Sequence, residues 1–311
     1  MKKIFFALTL LLLSFFDIQA QQDPHYTQYM YNMNVVNPAY AGSKENLSGS
    51  LLYRQQWVGL QGAPKTATFS LHSPVGKNVG LGLSVVSDKI GPVDENNIYA
   101  DFSYNLNLGG EHKLAFGLKA GATLHKVGLF SEVGNGYVPQ PGDKSFSKNT
   151  SNTYLNFGAG AFYYTNKYYV AFSLPNFVKN THLEVTNNGQ IYNFGNETQH
   201  YFLTGGYVFD LSSSFKFKPS VMVKSAIKTP ASLDLSANFL YKERLEFGLT
   251  HRLDDSFGAM VNFAITPNLR LGYAYDHIIS DLNITTSASH EFMLLFDLNF
   301  PKKVSISPRF F

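Results

Sequence analysis

Nine histidines are the side chains here best suited to acid-base or metal chemistry, and their spacing gives them little to do. No two stand as His-Glu-x-x-His or as another close metal-binding pair. Gly80-x-Gly82 falls inside an alternating run rather than at a strand-to-helix turn, so it does not read as a dinucleotide fingerprint. There is no Gly-x-Ser-x-Gly to carry a nucleophile. The acidic run Asp94-Glu95-Asn96-Asn97 has the oxygen ligands calcium takes, provided it lies in a surface loop. Asp254-Asp255 reads as a tight turn. With no cysteine in the chain, disulfides, thiolate metal sites and a lipoprotein anchor are excluded. These residues predict no enzyme, no cofactor and no metal.

The elements around them explain the shortage. Charged residues are 15% and aromatics 15%, a balance that suits a chain in contact with lipid; the mean hydropathy of −0.11 is too polar for a bundle of transmembrane helices. The formal net charge of +3 carries no clustered Lys/Arg for nucleic acid. Lys2-Lys3, the apolar run Ile4–Phe16 and Ile18-Gln19-Ala20 read as a secretory signal over 1–20, leaving Gln21 first in the mature chain. After it comes no apolar stretch long enough for a spanning helix.

Most of the mature chain alternates. Ile98, Ala100, Phe102, Tyr104 and Leu106 oppose Tyr99, Asp101, Ser103 and Asn105; Phe292, Leu294, Phe296, Leu298 and Phe300 oppose Glu291, Asp297 and Asn299. A period of two means strands with one apolar and one polar face. A soluble sandwich would alternate too. Runs of about ten residues, Gly/Ser/Asn/Thr-rich polar faces and aromatics at the strand ends favour a transmembrane antiparallel β-barrel over 47–311. Counting runs gives about fourteen strands. Short turns such as Thr165-Asn166-Lys167 and Lys242-Glu243-Arg244 then segregate to one end. The longer connections at 88–97, 126–153, 175–198 and 276–289 segregate to the other. Both mature termini fall at the short-turn, periplasmic end. The polar faces carry Arg54, Asp101, Lys119, Lys224, Asp234, Glu246, Arg252, Arg270, Glu291 and Asp297. Such balanced charge suggests ion pairs across the lumen, or a lumen closed by another segment.

Residues 21–46 do not alternate and read as an ordered periplasmic segment. Asp23-Pro24 is suited to open a short helix with Tyr26, Tyr29 and Met30 on one face. The segment reads either as a lead covering the barrel mouth or as a docking strip. Tyr26-Thr27-Gln28-Tyr29-Met30-Tyr31-Asn32, Val36-Asn37-Pro38-Ala39-Tyr40-Ala41-Gly42, Tyr53-Arg54-Gln55-Gln56-Trp57 and Gly62-Ala63-Pro64-Lys65-Thr66 together resemble the opening of the PorP/SprF family. These are outer-membrane proteins of the type IX secretion system in Bacteroidota. The resemblance implies work with secretion machinery, in some members alongside a large adhesin, including adhesins of gliding motility. Candidate partner contacts are Pro24, Tyr26, Gln28, Tyr29, Asn37, Pro38, Tyr40, Gly42, Arg54 and Trp57. The competing reading is an outer-membrane transporter or porin for small or apolar solutes.

Overall fold

The structure, a computed structural model, describes residues 24–128, 150–178, 181–187, 190–196, 198–226, 229–280, 283, 286 and 288–298. The expected signal at 1–20 and most of the connection at 126–153 lie outside these residues. Strands occupy β1 (Leu47–Gln55), β2 (Lys65–Pro74), β3 (Val79–Ile90), β4 (Val93–Gly109), β5 (His112–Val127), β6 (Thr150–Tyr164) and β7 (Tyr168–Leu174). They continue with β8 (Thr181–Asn187), β9 (Gln190–Asn196), β10 (His200–Tyr207), β11 (Phe209–Asp210), β12 (Phe215–Ala226) and β13 (Thr229–Tyr241). The last four are β14 (Leu245–Arg252), β15 (Ser256–Thr266), β16 (Leu269–Ile278) and β17 (Ala288–Leu298).

All but β8 and β9 form one antiparallel sheet that closes on itself. β1 pairs with β17 from Leu47↔Leu298 to Gln55↔His290, and β10 pairs with β12 from His200↔Ala226 to Gly206↔Ser220. The two-residue β11 continues the course of β10 after Val208, so the wall has fourteen strands. β8 and β9 form a separate hairpin.

The alternation is inside out. Leu118 is 61% exposed and its neighbour Lys119 2%. The same inversion sets Phe102 against Asp101, Leu51 and Tyr53 against Leu52 and Arg54, and Phe247 against Glu246. A sandwich would bury the leucines and phenylalanines. Here they face out, where only hydrocarbon can receive them, and the sheet closes on itself as a membrane-spanning sheet must. At the short-turn end, outward rings run from strand to strand. Tyr168–Tyr207 stack at 5.9 Å, Phe217–Phe239 lie at 4.9 Å and Phe239–Phe247 at 5.6 Å, as befits an interfacial girdle.

Two expectations about connections change. Residues 88–97 are not a long loop: β3 and β4 run on as a ladder to Ile90↔Val93 and turn at Gly91-Pro92. Asp94–Asn97 therefore sit in a strand, where successive side chains leave opposite faces and cannot converge on calcium. Asp94 instead pairs with Lys89 at 3.6 Å, and Asn97 Nδ2 donates to Glu95 Oε1 at 2.8 Å. The second change is the β8–β9 hairpin inside the 175–198 connection. The Asp254-Asp255 turn is present, with Asp254 at φ 58°.

Candidate functional site

The barrel is not hollow. Residues 24–43 run inside it, and most of the molecule's buried apolar side chains lie between this segment and the wall. Tyr26, Tyr29, Met30, Met33, Val36, Ala39 and Tyr40 pack against inward Leu52, Phe162, Tyr169, Met222, Met260 and Met293. A helix from Pro24 does not form. The first turn is a 3-10 turn at Tyr29–Tyr31, followed by α1 (Met33–Val36) and a second 3-10 turn at Pro38–Tyr40. Pro38 has no N–H to continue α1, and Asn37 Oδ1 caps the next turn by accepting from Ala39 N at 2.9 Å. Tyr26, Tyr29 and Met30 are all buried, packed among inward side chains of the wall rather than aligned as a helix face.

The segment starts near the long-loop end and leaves at the short-turn end. At its start one cluster ties three chain regions together. Arg54 near the end of β1 lies 2.7 Å from Asp276 and 3.2 Å from Glu291. Thr27 N and Gln28 N donate to the two Glu291 oxygens at 2.9 and 2.8 Å. Thr27 Oγ1 donates to Asp276 at 2.5 Å and accepts from Arg54 Nη1 at 2.8 Å. Beside it a polar recess under Tyr29, lined by Asp234, Ser236, Arg252 and Asp276, has room for about one water. Further along, the Tyr31 hydroxyl hydrogen-bonds Glu246 and accepts from Lys218 Nζ at 2.7 Å. Lys218 is 3.2 Å from Glu246, and Arg270 3.6 Å. At mid-height Asn34 Nδ2 donates to Asp101 at 3.2 Å, and Lys119 pairs with Asp101 at 2.8 Å. Near the exit Tyr40 meets His72 and Phe162 edge-on at 5.1 and 5.3 Å, and Gly42 N donates to His72 Nδ1 at 3.2 Å.

On the β5–β6 side the fit depends on missing side chains. A Cβ on Gly117 would overlap the backbone of Pro38 and Ala39, and one on Gly160 would overlap the Asn37 carboxamide. Asn37 Nδ2 donates to the Ala161 and Phe172 carbonyls at 3.1 and 3.4 Å, bridging β6 and β7. Gly117→Ala is expected to cost about 1–3 kcal/mol, because the obstacle is backbone rather than a flexible tip. Gly205→Ala, whose Cβ would find its nearest atom at 3.5 Å, is expected to be near neutral. Urea midpoints of the two variants in lipid vesicles check this, and equal midpoints would remove the close-packing account.

Of the two expectations about the interior, a chain segment does close the lumen, whereas the buried ion pairs join nearby strands along the wall, as Lys119 with Asp101 and Arg252 with Asp234, rather than crossing the lumen. Lys218 and Asp276 were absent from the expected inward set. The alternation Phe215-Lys216-Phe217-Lys218 carried the signal for the first. Of the candidate contact residues, Tyr26, Gln28, Tyr29, Asn37, Pro38, Tyr40 and Arg54 are buried in the lumen; Pro24 and Gly42 are half-buried at its ends. Trp57 sits apart, in the β1–β2 turn at the long-loop end, with its N–H on Ser289 Oγ at 3.1 Å. Among the described residues no three acidic or histidine side chains group to hold a metal ion.

A family model described as "Type IX secretion system membrane protein PorP/SprF" matches residues 18–296. No curated protein matches the chain. Among solved structures it is similar to the CymD monoaromatic hydrocarbon channel, at 13% identity over 91% of this chain and 95% of that one, TM-score 0.50. The Ralstonia pickettii toluene transporter TbuX is similar at 12% identity over 86% and 93%, TM-score 0.50. At these identities the likeness is one of fold.

Proposed function

The chain belongs to the PorP/SprF family of type IX secretion system membrane proteins, and from that premise we propose that it serves the system as an outer-membrane interaction protein. In this reading it binds secretion machinery or helps translocate or retain a secreted adhesin, and does not pass solutes. The observation that carries the reading is the filled lumen. A segment covalently joined to β1 crosses it, with buried ion pairs near both ends and at mid-height. A solute channel needs a continuous wet or apolar path, and the recess beside Tyr29 has room for only about one water. The hydrocarbon channels share the barrel, but such a fold hosts many functions.

Deleting the gene in its own host tests the proposal. The expected result is loss of one or a few surface proteins, measured by quantitative proteomics of intact cells, with solute uptake unchanged. An unchanged surface proteome, together with steady conductance of the purified barrel, would overturn it in favour of the transporter.

A further inference from the structure

The apolar outer face of the barrel ends, on one arc, in a row of charge. On β4 the outward residues from Ile98 to Leu108 are apolar or aromatic, and so are those of β5 from Leu114 to Leu124. Each run is about the 9–11 residues that cross the hydrocarbon. Beyond these runs, toward the long-loop end, Asp94 on β4 stands opposite Lys126 on β5. The register carries the row onward: Asp94 faces Lys89 on β3, and Lys89 faces Lys65 on β2. The neighbours Thr66, Asp88 and His125 are buried, so alternation turns the three lysines outward. Three strand spacings of about 4.8 Å make the row about 14 Å long.

The charges in this row do not balance. Lys89 pairs with Asp94 at 3.6 Å, and both are about half exposed. Asp88 points inward, where Thr66 donates to it. Lys65 and Lys126 are exposed, and among the described residues neither has a carboxylate partner. Lys65 directly faces Lys89, a like-charge pair that disfavours strand pairing. An anion over the two ammonium groups removes that repulsion. The rest of the rim differs. On β14 to β17 the outward residues at this end include His251, Phe257, Tyr275, His277 and His290. The other cations there, Arg54, Lys224 and Arg252, are buried on the inward face.

We propose that Lys65, Lys89 and Lys126 form a headgroup site for a phosphate-bearing lipid of the outer leaflet. The long-loop end is the outer side of such a barrel. The occupant follows from the two surfaces that meet at the row. Ammonium groups hold phosphate as point charges. Beneath them Leu83, Ile98, Leu118 and Leu124 stand exposed, a surface matched by acyl chains. A free phosphate or an acidic peptide satisfies the lysines and leaves that apolar face uncovered. A lipid with phosphate at its head satisfies both.

The test uses the full chain in a non-ionic detergent, with folding judged by heat-modifiable gel mobility. Dioleoyl phosphatidic acid and dioleoyl phosphatidylcholine are titrated in turn, and native mass spectrometry counts the lipid bound. Wild type is expected to hold phosphatidic acid about tenfold or more tighter than phosphatidylcholine. Lys65→Gln/Lys89→Gln/Lys126→Gln should lose that preference, and Lys65→Arg/Lys89→Arg/Lys126→Arg should keep it. Lys77→Gln/Lys167→Gln/Arg244→Gln removes as many charges at the short-turn end and should leave the preference unchanged. All these side chains are exposed, so the variants should fold. Equal binding of the two lipids by wild type overturns the site, as does a preference that survives the glutamine variant. Displacement of the lipid by excess inorganic phosphate would show a free-ion site and overturns it too. If the glutamine variant keeps its lipid preference but loses a surface protein from intact cells, the row belongs to a protein instead.

Discussion

Deleting residues 24–43 is expected to turn a barrel that passes no steady current into one that conducts. A wall of fourteen strands falls between eight-stranded barrels filled by their own side chains and sixteen-stranded porins with an aqueous channel. Its inward side chains on β1 to β5 include many small polar ones, among them Ser50, Ser70, Ser84, Ser103 and Thr123. What fills the axis is the 24–43 segment with its tyrosines and methionines. Without it, water replaces Tyr29, Tyr40 and Met33. The remaining ions stay paired along the wall, as Lys119 with Asp101, Lys218 with Glu246 and Arg252 with Asp234. The open pore should therefore discriminate weakly between potassium and chloride, because no ring of one sign survives. Planar-bilayer recording measures both quantities. A folded deletion variant that stays silent would mean that something besides this segment closes the barrel. If the variant assembles poorly, Gly117→Val in the full chain is the second measurement: displacing Pro38–Ala39 should give intermittent current.

The same molecule shows which levels of structure are readable in a bare sequence. Where a strand lies in hydrocarbon, one face must be apolar, and the period of two is loud. β5 and β17 are plain for that reason. Where β3 and β4 rise above the membrane, neither face is selected for apolarity. The signal stops at about Asn97 although the ladder continues to Val93, so a strand reads as a loop. The hairpin β8–β9 carried its own cue in Asn188-Gly189 with Leu183 and Val185 alternating before it, but that cue lay inside a segment read as one connection. The lead at 21–46 was visible as a break in alternation. Its place in the lumen was not, because that depends on absent side chains at Gly117 and Gly160, far away in the chain. Local pattern marks a segment as different; only the wall's shape says where it goes.

Arg54→Leu is expected to be the most damaging single substitution, costing about 3–5 kcal/mol. Arg54 is 2% exposed, and its guanidinium stands between the buried carboxylates of Asp276 and Glu291 while donating to Thr27. Removing it leaves two carboxylates facing each other without their cation. The loss is therefore the penalty of stranded charge, not the small net value of an ion pair. Glu291 keeps the Thr27 and Gln28 backbone donors and Asp276 keeps the Thr27 hydroxyl, so expelling the segment would cost more bonds. The cheaper relief is proton uptake by one carboxylate. The variant's deficit is accordingly largest at neutral pH and shrinks as acid neutralises Asp276 or Glu291. Arg54→Lys, with a point charge in place of a fork, should fall between. Arg54→Leu/Asp276→Asn/Glu291→Gln should recover most of the loss at neutral pH, since no uncompensated charge remains. Trp57, the only tryptophan, lies three residues along the chain and reports unfolding by fluorescence in urea. A loss below about 1 kcal/mol for Arg54→Leu, or a deficit that does not shrink in acid, would show that water already reaches these carboxylates. The segment would then be held by its tyrosine and glycine packing against β5 and β6 rather than by the ion cluster at its start.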